Sequence, residues 1–133
     1  MIKKKISNGS FQQAIEEEFV KVLNLGNFES VYLFSDEGLP LIDLCGRGIV
    51  TVDDASQIVL LTKGALDVFD EGKTERSVKE VLFYVKDRRK VDIRYFHALD
   101  QEVTLVLVIP PGKSYRSHAN RMIRFLSHIA TDV

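Results

Sequence analysis

One stretch, Asp53 to Glu71, limits what this chain can fold into, because it carries more apolar surface than one packing partner can cover. At 3.6 residues per turn, Ala55, Ile58, Val59, Thr62, Ala65, Leu66 and Phe69 form one stripe, the normal width for a helix lying on a sheet. Leu61, Gly64 and Val68 fall beside it and widen the apolar arc to roughly 220°, against the ~100° or somewhat more of a surface helix. Ser56, Lys63, Asp67 and Asp70 make the wet strip. Gly64 costs about 1 kcal/mol relative to alanine inside a helix, so a close approach by another backbone is the best reason for it. Either one large domain buries both stripes internally, or the second stripe is covered by another subunit or a partner protein. A chain of 133 residues, the size of one ordinary domain, favours the second.

The rest of the chain supplies a sheet for this helix. Ser10 and Gln13 have capping-box spacing, and Phe11, Ala14, Ile15, Phe19, Val22 and Leu23 follow at helical intervals until Gly26-Asn27 ends a first helix. Val31 to Phe34 reads as a strand, Ser35 to Gly38 as a tight turn with Gly38 left-handed, and Leu39 to Leu44 as the returning strand. Pro40 cannot donate to a ladder and belongs at a strand start or on an edge. Thr51 with Asp54 starts the long helix and Gly72 is placed to end it. Val78 to Lys86 and Val91 to Leu99 are two further strands, the second alternating Val91, Ile93 and Tyr95 with Asp92 and Arg94. Val103 to Ile109 is apolar on both faces, the mark of a central strand with helices above and below. Ser114 is an N-cap for a last helix whose core stripe is Ala119, Met122, Ile123, Leu126 and Ile129. The expected fold is α+β: a five-stranded antiparallel sheet with the long helix on one face and the first and last helices on the other. Residues 1–9 form a basic arm and 10–130 the domain.

Charge and motifs exclude more than they assign. With 18 basic and 19 acidic residues, the chain lacks the basic footprint of a nucleic-acid binder. No apolar run reaches the ~20 residues needed to span a bilayer, and no secretory apolar core follows the lysines at the start, so a soluble cytoplasmic protein is expected. Cys45 is the single cysteine and cannot form an internal disulfide. His97, His118 and His128 show no metal-ligand spacing, and Pro111-Gly112-Lys113-Ser114 lacks the earlier glycine of a phosphate-binding loop, since Leu107 stands there. Ser114 and His118 sit four apart, with no acidic residue nearby in sequence to orient the imidazole. No catalytic residue, metal site or cofactor is readable, and an enzyme is not expected.

The element order, the hairpin with Ser30 before its first strand and Gly38-Leu39-Pro40-Leu41 at its turn, and the long apolar second helix together resemble the roadblock family, named after a dynein light chain. The resemblance covers roughly residues 10–129. It implies a roadblock or profilin-like sandwich acting as a non-enzymatic module that dimerises and binds small Ras-like GTPases, as a regulator of nucleotide turnover or a scaffold. It also implies that pairing uses the second helix and the neighbouring edge strand. On this chain those positions are Leu61, Gly64 and Val68, with Val81 and Phe83, or Leu82 and Tyr84, along the edge. The helix is richer in leucine and valine than is usual in the family, and the turn Asp87-Arg88-Arg89-Lys90 is more basic. A small-molecule sensor domain of similar architecture is the alternative, by analogy of fold alone.

Overall fold

The computed structural model describes residues 8–45, 50–71 and 77–129. The elements run α1 (Asn8–Leu23), β1 (Ser30–Phe34), β2 (Pro40–Cys45), α2 (Val52–Asp70), β3 (Glu80–Tyr84), β4 (Lys90–Ala98), β5 (Gln101–Ile109) and α3 (Arg116–Ile129). The five strands form one antiparallel sheet in the order β2-β1-β5-β4-β3, so β5 is central and β2 and β3 are the edges.

Strand alternation splits the core into two layers. Tyr32, Phe34, Ile93, Tyr95, Val106 and Val108 face α2, which presses Ala55, Val59 and Leu66 onto them. Val31, Leu33, Leu105 and Leu107 face the other way, against Ile15, Phe19 and Val22 of α1 and Ala119, Met122 and Leu126 of α3. The α+β arrangement, the two-sided central strand and the division of the helices are those expected from the sequence.

Local signals account for several boundaries. Thr51 makes both bonds of a capping box with Asp54, each 3.1 Å, which satisfies free amides at the start of α2. Gly38, at φ +86°, closes the β1–β2 hairpin, and Pro40 opens a strand that is also an edge. The β4–β5 connection is a two-residue turn, Leu99-Asp100, with φ of 57° and 62°, one position earlier than the Asp100-Gln101 turn read from the sequence.

Other expectations change. The backbone is already helical at Asn8, so Ser10 lies inside α1, and α3 begins at Arg116, leaving Ser114 one residue before the cap position. The Ser114 carbonyl instead accepts the Asn27 side-chain amide at 2.8 Å. β3 is shorter than Val78 to Lys86, because a single 3-10 turn, Lys86–Arg88, starts the reversal, with Asp87 and Arg88 at φ 66° and 63°. Two members of the inward stripe of α2 are not inward: Ala65 is exposed and Phe69 is 60% exposed. Leu66, between them, stays in the core, so the covered strip of α2 narrows to Ala55, Val59 and Leu66. Asp92 and Arg94 alternate with Val91, Ile93 and Tyr95 as read, yet the whole run is buried, since α3 covers their side of β4. Residues 1–7 of the basic arm, residues 46–49 and Gly72 lie outside the described residues. Among the described residues no helix is long and apolar enough to cross a membrane.

Candidate partner-binding surface

The second stripe of α2 is open to solvent. Leu61 is 76% and Val68 74% exposed, Gly64 lies between them, and Leu60 and Phe69 flank the group. Internal burial of both stripes is thereby overturned. Among the described residues a methyl placed on Gly64 would meet nothing within 4 Å, so no described backbone approaches it. Seven of the ten strongly exposed large apolar side chains among the described residues belong to α2 or to Phe83–Val85, which concentrates them on one part of the molecule.

β3 supplies the second half of that surface. Val81 and Phe83 pair with Ile93 and Val91, which places them on the α2 face, whereas Leu82 and Tyr84 pair with Asp92 and Lys90 on the α3 face. The two alternatives for the edge are thus opposite faces of one strand. Val81 is partly buried in the core beneath α2 and Leu82 in the core beneath α3, while Phe83 and Tyr84 are exposed. Ser77 donates its amide to Asp70 and its hydroxyl to the Phe69 carbonyl, tying the end of α2 to the segment that enters β3.

The backbone of β3 points half of its groups outward. Tyr95 donates its amide to the Lys79 carbonyl and Val85 to the Arg89 carbonyl, so the odd-numbered residues of this ladder bond to β4. In an antiparallel pair the alternate residues then turn their N–H and C=O away, and here these are Glu80, Leu82 and Tyr84. β3 has β4 as its single neighbour in the sheet, so these groups line an open edge.

The side chain of Glu80 turns inward beneath α3, into a cluster the sequence did not reveal. Arg94 donates Nε–H to Asp92 at 2.9 Å and Nη1–H to Asn120 at 3.3 Å, and its Nε lies 3.2 Å from Glu80. Arg116 donates to Glu80 at 3.2 Å. Asp92 is fully buried, and its burial, followed by the facing Glu80 carboxyl, pushes its pKa up to about 7. Glu80 moves the opposite way, held down first by the Asp92 carboxyl it faces and then by Arg94 and Arg116 despite its own partial burial, so the pair retains one proton well above the carboxylate range. The signal available in the sequence was positional: a strand flanked by strands and covered by helices cannot keep an aspartate and an arginine in water.

The remaining candidates do not converge. His97 faces Glu102 at 3.0 Å, His118 stacks edge-on with Phe28, and His128 Nδ1 lies against the Arg124 carbonyl. Among the described residues no three of His, Cys, Asp and Glu are grouped to hold a metal ion. Glu18 and Arg121 join α1 to α3 at 3.0 Å.

No protein-family model and no curated protein sequence matches this chain. Solved structures do. The gliding protein MglB from Thermus thermophilus superposes with a TM-score of 0.68 at 14% identity, over 98% of this chain and 96% of its own. An MglB in a tetrameric arrangement gives 0.66 at 15% identity, over 97% and 94% of the two chains. The Roadblock/LC7 domain from Streptomyces avermitillis gives 0.51 at 11% identity, over 90% and 97%. The chain has the roadblock fold.

Proposed function

We propose that this roadblock-fold chain works as a non-enzymatic, self-pairing module that binds a small Ras-like GTPase in the cytoplasm, as a regulator of its nucleotide turnover or as a scaffold. The observation that carries the pairing is the coincidence of an open, apolar sheet edge with an exposed apolar helix face on which Gly64 meets nothing. Two copies related by a two-fold axis bury both features at once. Because Glu80, Leu82 and Tyr84 carry the outward backbone groups, the longest pairing of two β3 strands sets Leu82 opposite itself and Glu80 opposite the partner's Tyr84. The two sheets then continue into one, with Leu61, Gly64 and Val68 between the two α2 helices. Gly64 permits the close backbone approach that its cost in a helix calls for.

The GTPase half of the reading is supported by the fold and by its likeness to MglB and Roadblock/LC7 structures. The test is a titration of the protein with small Ras-like GTPases of its own source organism, each loaded with GDP or with a non-hydrolysable GTP analogue. The expected result is binding to one GTPase in one nucleotide state. Absence of binding in both states across the set, together with a single-chain mass in solution, contradicts the reading. Nucleotide turnover with and without the protein separates a regulator from a scaffold. The sensor alternative gains little from the hollow beside the Ser35–Gly38 turn, about 40 Å³, which suits water more than a metabolite, or from the wider groove of about 530 Å³ along Glu18, Arg121 and Phe125, which is a shallow, open surface.

A further inference from the structure

The cluster beneath α3 brings two carboxyls together with more acceptor oxygens than its hydrogen bonds satisfy. Glu80 Oε2, Asp92 Oδ1 and Arg94 Nη2 are buried without a hydrogen-bond partner, although charged groups surround them. Leaving such atoms unpaired is costly, and two ionised carboxylates facing each other add repulsion. A proton on one carboxyl turns two unpaired acceptors into a donor and an acceptor and removes one of the two like charges. The groups facing the pair are few and come from every element packed on it: Glu80 from β3, Asp92 and Arg94 from β4, and Tyr115, Arg116 and Asn120 from the start of α3. Arg94 Nε lies between the two carboxyls, 2.9 Å from Asp92 and 3.2 Å from Glu80, and Arg116, on the solvent side, donates to Glu80. Arg94 Nη2 makes no bond to either carboxyl, so the proton between Glu80 Oε2 and Asp92 Oδ1 is not replaced by a guanidinium N–H.

Position makes this cluster consequential. Glu80 is the first residue of the edge strand β3, and its carboxyl is the link between that strand and Arg116 of α3. We propose that Glu80 and Asp92 form a proton-operated clasp, which holds the edge strand β3 beneath α3 while one proton is shared between the two carboxyls and loosens it when that proton is lost to solvent. The clasp lies within one chain, so it operates whether or not two copies pair.

The direction follows from linkage. Folded Asp92 keeps a proton that the unfolded or opened chain releases in the ordinary carboxylate range, so its stabilisation is complete in acid and drains away as pH rises through about 7. Glu80, shifted downward, changes nothing in that window. The experiment follows the Asp92 and Glu80 carboxyl carbons by NMR from acid to alkaline pH, and the amide exchange of Val81–Tyr84 corrected for the intrinsic pH dependence of exchange. The expected result is a near-neutral titration of Asp92 and a loss of protection of about tenfold between about pH 6 and about pH 8. Asp92→Asn carries a permanent donor toward Glu80 and is expected to hold β3 protected across the range. Glu80→Gln removes the facing charge and is expected to flatten the profile as well, which keeps the test sound if the first variant fails to fold. An Asp92 that titrates with ordinary carboxylates, or a β3 whose protection is the same at both ends of the range, overturns the proposal.

Discussion

The sheet has two edges, and the chain treats them differently. β2 opens with Pro40, which has no amide to offer, and its Leu41 carbonyl is occupied by the Gln12 side chain of α1 at 2.8 Å. β3 has neither device. Its outward groups at Glu80, Leu82 and Tyr84 meet no other strand among the described residues, its flank carries exposed Phe83 and Tyr84, and the helix beside it presents Leu61 and Val68 to water. Natural sheets blunt edges that must stay single. The contrast within one molecule is therefore the basis for proposing β3 as the edge kept for pairing.

Substitutions at five positions sharpen or break that contrast. The largest effect is expected from Leu61→Asp combined with Val68→Asp. Both side chains are about three-quarters exposed, so the folded monomer should change by no more than ~0.5 kcal/mol each while the solution mass falls to that of one chain. The same charge at Leu39, exposed at the start of the β2 edge, should leave the mass unchanged, and a drop there would erase the distinction between the edges. Gly64→Ala is expected to be two-signed. In a monomer it should raise the melting temperature by the equivalent of about 1 kcal/mol, because nothing opposes the methyl, whereas between two close helices it should weaken association. An association constant unaffected by Gly64→Ala and by Gly64→Arg would remove α2 from the interface. The smallest effect is expected from Gln12→Ala, which frees the Leu41 carbonyl at a cost of about 0.5–1 kcal/mol by denaturant titration, without a new oligomer.

Much of this fold was legible in the sequence because its signals are local. The Thr51–Asp54 capping box, the left-handed Gly38, Pro40 on an edge and the two-sided run at Val103 to Ile109 each specify backbone geometry within a few residues. What was not legible depends on where one element ends over another. Phe69 belongs by periodicity to the covered stripe of α2 and is nevertheless bare, because periodicity does not say which members of a stripe find a partner. Asp92 and Arg94 show the polar spacing of an exposed strand face, and only the placement of α3 turns that face into an interior. For the candidate surface, helical periodicity was enough to pick out Leu61, Gly64 and Val68. The family resemblance supplied the strand, and strand register then separated Val81 and Phe83 from Leu82 and Tyr84.

The central claim is that the exposed face of α2 and the β3 edge are covered by a second copy of this chain. The most direct measurement is the solution mass by light scattering at micromolar concentration, beside the Leu61→Asp, Val68→Asp variant. The account predicts a mass near twice the 15.1 kDa of the chain for the native sequence and a single chain for the variant. A native mass of one chain at every concentration would contradict it.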